Sequence, residues 1–151
     1  NRILHLDQNM GIKSSELKFF NRKVKGLRTG ELTIFSGGTG SGKTTLLSQM
    51  SLDFCKKGVP TLWGSFEIQN EILVSAMMNQ FSDTNLTKHP EKLEHNFAKF
   101  AELPLYYMSF FGSTDLEKVF STIEYAIEKY QISHIIIDTL QFLLADQATG
   151  F

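Results

Sequence analysis

A glycine-rich segment, Ser36-Gly-Gly-Thr-Gly-Ser-Gly-Lys-Thr-Thr45, constrains the fold of this chain more than any other stretch. It fits the pattern G-x-x-x-x-G-K-[ST], in which Gly37 stands first and Gly42, Lys43 and Thr44 close the motif. Glycine reaches backbone angles that other residues adopt only at a cost, so several glycines in one short segment indicate a tight loop. The pattern has a physical meaning only where a strand precedes the loop and a helix follows it.

Both flanks of the loop meet that condition. Residues 31–35, Glu-Leu-Thr-Ile-Phe, predict a buried strand. Residues 45–57 predict a helix, which Gly58 ends. The sequence therefore predicts strand, glycine loop and helix in that order.

This arrangement is suited to phosphate. Backbone N–H groups of a glycine loop converge on anionic oxygens because no side chains intervene, and the following helix directs its unpaired N–H groups at the same anion. Lys43 is expected to bridge the β- and γ-phosphates of a nucleoside triphosphate, and the Thr44 hydroxyl to hold Mg²⁺. The candidate nucleotide-binding residues of the loop are Gly37, Gly38, Thr39, Gly40, Ser41, Gly42, Lys43, Thr44 and Thr45.

The rest of the chain alternates between helix and strand patterns. A near-continuous apolar run, residues 132–138, is typical of a strand buried on both faces of a parallel sheet. Alternating strands and helices predict an α/β domain with right-handed crossovers. The further predicted strands are residues 61–66 and 105–111, and the further predicted helices are residues 15–24, 70–83, 91–102 and 114–130.

Capping residues mark three of the predicted helix starts. Ser14 or Ser15 is expected to cap the first helix and Asn70 the helix after the second strand. Thr114 and Glu117 fit the capping-box pattern before the last helix.

Two strand ends carry acidic residues. Ligands of open α/β sheets bind beyond the carboxyl ends of the strands. Asp138, after an apolar strand, is expected to hold the hydration shell of Mg²⁺; the alternative is a plain helix cap. Glu67, at the end of the second strand, is expected to orient or deprotonate an attacking water; the alternative is an exposed glutamate. Thr139 and Gln141 are weaker candidates for contact with the γ-phosphate.

Bulk properties exclude several other classes of protein. The net charge is −1 and the pI about 6.5, so the overall balance gives no sign of nucleic-acid binding, although a local patch remains compatible with it. No apolar run is long enough to span a membrane. Cys55 is the single cysteine, so no disulfide framework is expected. The four histidines show no metal-ligand spacing.

Three segments together resemble one family. The glycine loop, the segment T-L-W-G-S-F-E-I-Q-N and the segment H-I-I-I-D-T-L-Q-F are similar to the first three motifs of the RecA-fold, DnaB-type hexameric helicases. Many ATPases share the loop, whereas F-E-I and D-T-L-Q-F together are more discriminating. The resemblance covers about residues 11 to 145. It implies a RecA-like P-loop NTPase fold with a mostly parallel sheet and helices on both faces.

The resemblance also implies roles for individual residues. Lys43 and Thr44 correspond to phosphate and Mg²⁺ ligands, Glu67 to the catalytic base, Asp138 to the second acidic motif and Gln141 to the motif's glutamine. It implies an ATP-driven homo-oligomer, a hexameric ring that moves on single-stranded DNA and has no membrane association. Within the family, the segments W-G-S-F-E-I, L-P-L-Y-Y-M-S-F-F and I-I-I-D-T-L-Q-F are most similar to the mitochondrial replicative helicase, which implies the mitochondrial matrix and nucleoid as the location. The alternative is the cytoplasm of a bacterium or phage-infected cell.

The family's later parts do not occur in these 151 residues: the γ-phosphate sensor, the DNA-contacting loops and the arginine finger. We therefore expect residues 1–30 to be a lead-in and residues 31–151 a partial RecA-like domain, ending after the acidic strand. In this fold the strand between the loop strand and the Asp138 strand comes from downstream sequence. The resulting open edges predict a marginally stable chain, or one whose gap other material fills.

Two other functions stay open on the sequence alone. One is a different RecA-type ATPase, RadA-like or KaiC-like, which shares the glycine loop. The other is a nucleotide-binding module without turnover. A kinase is less favoured, because no arginine-rich lid segment follows residues 70–83.

Overall fold

The computed structural model describes residues 11–112 and 114–141. The chain divides into two compact units, residues 1–46 and residues 47–151, and each unit is treated by itself. The glycine loop belongs to the first unit. Both acidic strand ends belong to the second.

Five α-helices and three strands make up the described regular structure. In chain order the elements are α1 Lys18–Val24, α2 Lys43–Lys56, β1 Thr61–Ser65, α3 Asn70–Ser82, a 3-10 turn Pro90–Lys92, α4 Leu93–Ala101, β2 Leu105–Tyr107, α5 Leu116–Tyr130 and β3 His134–Asp138. The predicted helix 45–57, helix 70–83, strand 61–66 and strand 132–138 are confirmed to within two residues at each end.

The three strands form one parallel sheet in the order β2-β1-β3. Strand β1 is central, and its residues Thr61 to Ser65 pair in register with His134 to Asp138 of β3. On its other side Thr61 pairs with Leu105 at the start of β2. All five residues of β1 are buried, as expected for a strand with a neighbour on each side and helices on each face.

Helices cover both faces of this sheet because side chains alternate along the strand. On one face Trp63 packs in a cluster with side chains from α2, α3 and α4. On the other face Leu62 and Phe66 pack with Val119 and Ala126 of α5. Helices on both faces of a parallel sheet confirm the predicted α/β, RecA-like fold class.

A buried hydrogen-bond chain fixes the central tryptophan. Trp63 is completely buried, and its indole Nε1 donates to Ser51 Oγ at 2.9 Å. The Ser51 hydroxyl in turn donates to the Leu47 carbonyl at 2.8 Å. A buried indole N–H without a partner is costly, so Ser51 on α2 is the residue that permits tryptophan at this position.

The first unit contains a small ordered motif before the glycine loop. An antiparallel bridge joins Ile12 and Leu27, with N–H···O distances of 2.8 and 2.9 Å. Between them Ser14 and Asn21 exchange two bonds: Ser14 N donates to Asn21 Oδ1 at 2.9 Å, and Asn21 Nδ2 donates to Ser14 O at 2.6 Å. These two bonds fix helix α1, which contains Asn21, to the segment that follows Ile12 of the bridge.

The predicted strand 31–35 is wrong. Residues 31–38 adopt no regular structure, and the side chains of Leu32 and Ile34 are 87% and 78% exposed. A strand needs a neighbour to bond its backbone N–H and C=O groups. Within the described part of the first unit the only ladder is the bridge at Ile12, so an apolar sequence pattern alone does not produce a strand here.

Three smaller predictions are corrected as well. Helix α1 begins at Lys18 rather than residue 15, since the Ser14 hydroxyl accepts the N–H groups of residues 16 and 17 in a turn before the helix. Strand β2 ends at Tyr107, not at residue 111. The cap of α5 is Asp115, whose Oδ1 accepts from Glu117 N at 3.0 Å.

The Thr114 hydroxyl donates to the Gly112 carbonyl instead of capping α5. The Asp115 carboxylate, one residue nearer the helix, is the stronger acceptor for a helix N-terminus. Along the described stretches, every helix falls short of what a membrane crossing would demand in length and apolar character.

Candidate functional site

The glycine loop adopts the shape that its sequence predicts. Gly40 and Gly42 have φ angles of +76° and +86°, which side-chain-bearing residues adopt only with strain. A tight turn closes the loop, with Ser41 N donating to Gly38 O at 3.2 Å. A Cβ added to Gly37 would lie 2.9 Å from Ser41 Oγ, so a larger residue at Gly37 would displace that side chain.

Lys43 is the first residue of α2 and folds back over the loop. Its Nζ donates to the carbonyls of Gly37 at 2.7 Å and Gly38 at 3.0 Å. A positive charge therefore lies above a loop whose end is a helix N-terminus. Thr44 follows as a half-buried residue of the first turn, and Thr45 is exposed.

These residues suit a phosphate group. The first N–H groups of α2 have no intrahelical partner, and the helix dipole adds positive potential at the same end. The Lys43 ammonium adds a full charge within reach of the loop. Backbone N–H groups, helix terminus and ammonium are the donor set that binds phosphate in proteins.

No group of three or more His, Cys, Asp or Glu side chains among the described residues is arranged to hold a metal ion. Mg²⁺ in phosphate sites keeps several waters and uses one or two protein ligands together with substrate phosphates. The Thr44 hydroxyl and the Asp138 carboxylate, each taken singly within its own unit, are oxygen groups of the kind that this mode of binding uses.

In the second unit, Glu67 and Asp138 lie at the same edge of the sheet. Ser65 is in register with Asp138, and Glu67 follows two residues later. Asp138 is only 5% exposed, whereas Glu67 is exposed. Parallel neighbouring strands bring their carboxyl ends together, so the pairing of β1 with β3 places these two acidic residues at one edge.

Backbone bonds hold the segment before Glu67 from both sides. Phe66 N donates to Asp138 O at 2.7 Å, and Gly112 N donates to Phe66 O at 2.9 Å. The Phe66 ring is fully buried, which fixes the chain one residue before the carboxylate. Glu67 thus projects into solvent from a rigid strand end.

Asn70 has a role that its sequence position does not reveal. The sequence predicts it as the cap of α3, but the N-cap residue is Gln69, which makes no side-chain capping bond. Asn70 Nδ2 instead donates to Met108 O at 2.7 Å and ties the turn after β1 to the chain leaving β2. An asparagine before a helix is usually a cap, so local sequence carries no signal for this long-range bond.

Beyond Asp138, Thr139 is half-buried and Gln141 is exposed. Both lie within three residues of the acidic strand end. Residues 142–151, which include the last residue of the D-T-L-Q-F segment, lie outside the described part of the chain.

A buried polar group occupies the opposite edge of the sheet. Thr61 and His134 begin β1 and β3, and Thr61 Oγ1 lies 3.3 Å from His134 Nδ1. Burial lowers the pKa of His134 to about 4 and raises the pKa of the Cys55 thiol. The Phe54 ring packs edge-on against the imidazole, with centroids 5.2 Å apart. This group is remote from Glu67 and belongs to the core.

A family model described as an AAA domain, AAA_25, matches residues 7–149, nearly the whole chain. The chain belongs to this family. Its fold and loop are those of a P-loop ATPase domain of the RecA or helicase type, and such domains generally bind nucleotide with Mg²⁺.

Proposed function

We propose that this chain is the ATP-binding and hydrolysing part of a ring-forming replicative DNA helicase, of the type of the mitochondrial helicase Twinkle. The observation that carries the proposal is the glycine loop with Lys43 folded over it at the start of α2. Family membership supports the ATPase class. The F-E-I and D-T-L-Q-F segments support the choice of a replicative helicase among RecA-type ATPases.

The proposal assigns the binding of phosphates to the loop. Backbone N–H groups between Gly37 and Thr45 contact the phosphate oxygens. Lys43 Nζ gives up its hydrogen bonds to the carbonyls of Gly37 and Gly38 and donates to the β- and γ-phosphates instead. The Lys43 bonds to Gly37 and Gly38 place its ammonium near the loop in advance, so little side-chain entropy is lost on binding.

The proposal assigns the chemical step to the strand ends. The Thr44 hydroxyl and the Asp138 carboxylate would be the protein ligands of Mg²⁺, and the ion would supply charge neutralisation at the transferring phosphate. Glu67 orients a water and accepts its proton, and Gln141 contacts the γ-phosphate. The rigid backbone around Phe66 supports this role, since catalytic groups must be held in a narrow range of positions.

The proposed partners are a DNA strand and further copies of this chain. The substrate strand is single-stranded DNA, and the active assembly is a homo-oligomer, a hexameric ring in the DnaB-type family. The proposed location is the mitochondrial matrix. Support for these points is the sequence resemblance alone.

Calorimetric titration with ATP and Mg²⁺ tests the binding step. We expect Lys43→Ala to weaken binding roughly 10- to 150-fold, since it removes charge-assisted hydrogen bonds. Lys88→Ala, which removes an exposed lysine from the second unit, is the matched control and should bind like the wild type. Equal affinity in Lys43→Ala and Lys88→Ala would contradict the assigned phosphate site.

Phosphate release separates turnover from binding. We expect Glu67→Gln to retain ATP binding and to reduce hydrolysis by about 10²- to 10⁴-fold, the range for loss of a general base. Binding without hydrolysis in the wild-type chain would favour the nucleotide-binding module instead. ATP-driven separation of a forked duplex distinguishes a helicase from RadA-like or KaiC-like ATPases.

A further inference from the structure

Charge is distributed very unevenly along this nearly neutral chain. Residues 1–46 contain eight Lys or Arg and three Asp or Glu, which gives +5. Residues 47–151 contain seven Lys or Arg and thirteen Asp or Glu, which gives a net charge of −6. The two values add up to the net charge of −1, so the first unit is strongly basic although the whole chain is nearly neutral.

Three of these eight cations lie on one face of α1. Successive helical residues are rotated by about 100°, so Lys18, Phe19, Arg22 and Lys23 occupy adjoining positions within less than half a turn. All four are exposed, and the Phe19 ring is 67% exposed. Lys23 Nζ lies 5.9 Å from the centre of that ring. These four residues are called the basic face.

The other side of α1 is anchored within the first unit. The Phe20 ring stacks on Phe35, with centroids 5.9 Å apart. Asn21 is tied to Ser14 by two hydrogen bonds, and the Ile12–Leu27 bridge closes the motif behind the helix. The basic face therefore has a defined orientation, and a ligand need not order it on binding.

We propose that the basic face of α1 binds the phosphate backbone of single-stranded nucleic acid, with a base stacked on Phe19. This inference rests on the proposed function for the identity of the strand, and it adds a site outside the ATPase motifs. An exposed aromatic ring bordered by cations is the combination that binds single strands without sequence preference, because every base has a π-face and every nucleotide a phosphate.

An acidic protein segment is the competing ligand. Such a segment would form ion pairs with the three cations, but it would give the exposed Phe19 ring no partner. Stacking on an exposed ring is sequence-tolerant and contributes to single-strand binding at each stacked base. The ring between Lys18 and Lys23 thus favours nucleic acid.

The test is fluorescence anisotropy of a labelled oligo-dT strand titrated with the full 151-residue chain at several salt concentrations. We expect Lys18→Glu with Arg22→Glu to weaken binding at least roughly tenfold. The log–log slope of the salt dependence should flatten by about 1.4, which is about 0.7 for each phosphate that is no longer neutralised. Phe19→Ala should weaken binding roughly 5- to 150-fold with little change in that slope.

Lys88→Glu with Lys99→Glu is the matched control. It makes the same change in net charge at two exposed lysines of the second unit and should change affinity less than about threefold. Lys18→Arg with Arg22→Lys keeps both charges and should bind like the wild type. Lys18→Gln with Arg22→Gln removes both charges without reversing them. Circular dichroism of every variant checks that it is folded.

Two results would overturn the inference. The first is equal loss of affinity in the basic-face pair and the control pair, which would mean that only total charge matters. The second is displacement of oligo-dT by a poly-glutamate peptide of equal charge as effectively as by unlabelled oligo-dT, together with no effect of Phe19→Ala. That second result would assign the face to an acidic protein segment.

Failure of this inference is distinguishable from failure of the proposed function. ATP titration of the wild-type chain reports on the glycine loop alone. If ATP binds and depends on Lys43 while the basic-face pair binds oligo-dT like the wild type, only the inference on α1 fails. If ATP does not bind while oligo-dT binding depends on Lys18 and Arg22, only the proposed nucleotide site fails.

Discussion

The two compact units of this chain differ in whether a short apolar segment forms a buried strand. In the second unit, β1 lies between two parallel strands and between helices on both faces, and all its residues are buried. In the first unit, residues 31–35 have a comparable apolar pattern, yet Leu32 and Ile34 are exposed and no strand forms. Hydrophobicity alone does not distinguish the two segments.

The difference lies in the availability of neighbours. Strand β1 bonds its backbone to β2 and β3 and packs Trp63 and Leu62 into separate clusters. Residues 31–35 have no second strand in the described part of their unit. Strand formation is therefore a property of a set of segments, and a single apolar segment is stabilised only when its lateral partners are present.

Trp63→Ala gives the largest expected effect in the second unit. It removes a fully buried indole and the N–H that donates to Ser51 Oγ, so we expect a loss of about 3–5 kcal/mol in the free energy of unfolding. Urea unfolding followed by circular dichroism measures this loss. Tryptophan fluorescence cannot be used, because the variant removes the only tryptophan of the chain. A loss below about 1 kcal/mol would show that the core around β1 is not closely packed.

Acidification should destabilise the second unit through His134. Burial lowers its pKa from 6.5 to about 4, so the folded state holds the neutral imidazole. The stabilisation is complete above pH 6.5 and is lost as the pH falls towards 4, because the unfolded chain binds the proton first. Between pH 7 and pH 5 this amounts to about 2 kcal/mol.

Urea melts of the wild type and His134→Gln at both pH values provide the measurement. The variant should lose most of this difference, whereas His95→Gln, at an exposed site, should keep it. Identical pH dependence in His134→Gln and the wild type would refute the assignment.

Gly64→Ala tests close packing on a smaller scale. An added Cβ would lie 2.8 Å from Phe66 Cε2, 3.1 Å from Ile137 Cδ1 and 3.2 Å from Met108 Sδ. We expect a loss of about 1–3 kcal/mol in unfolding free energy, because the buried ring must move. Gly38→Ala in the first unit meets no atom within 4 Å and should change stability by less than about 0.5 kcal/mol.

The smallest expected effect belongs to the exposed apolar residues of the first unit. Leu32→Asn and Ile34→Asn should each change the free energy of unfolding by less than about 0.5 kcal/mol, because both side chains are already in water. Chemical denaturation of each variant measures the change. A loss above about 1 kcal/mol at either position would mean that residues 31–35 are buried in solution and would remove the contrast between the units.

Prediction from the sequence is most accurate where a pattern has a local cause. The glycines of the loop, Gly58 at the end of α2 and the apolar run before Asp138 each act within a few residues, and helix α2 and strand β3 are confirmed. It fails where a distant partner decides the outcome. Asn70 bonds to Met108 rather than capping its helix, and residues 31–35 form no strand.

The amino-acid sequence by itself determined the shape of the glycine loop, the position of Lys43 at a helix start and the acidic ends of two strands, since these depend on local backbone preferences and on residue order. Only the tertiary structure decided that β1 is central, that Glu67 and Asp138 share one edge, and that Leu32 remains in water. The physical reason is that backbone pairing and burial depend on which segments become neighbours, and neighbours are chosen by the fold as a whole.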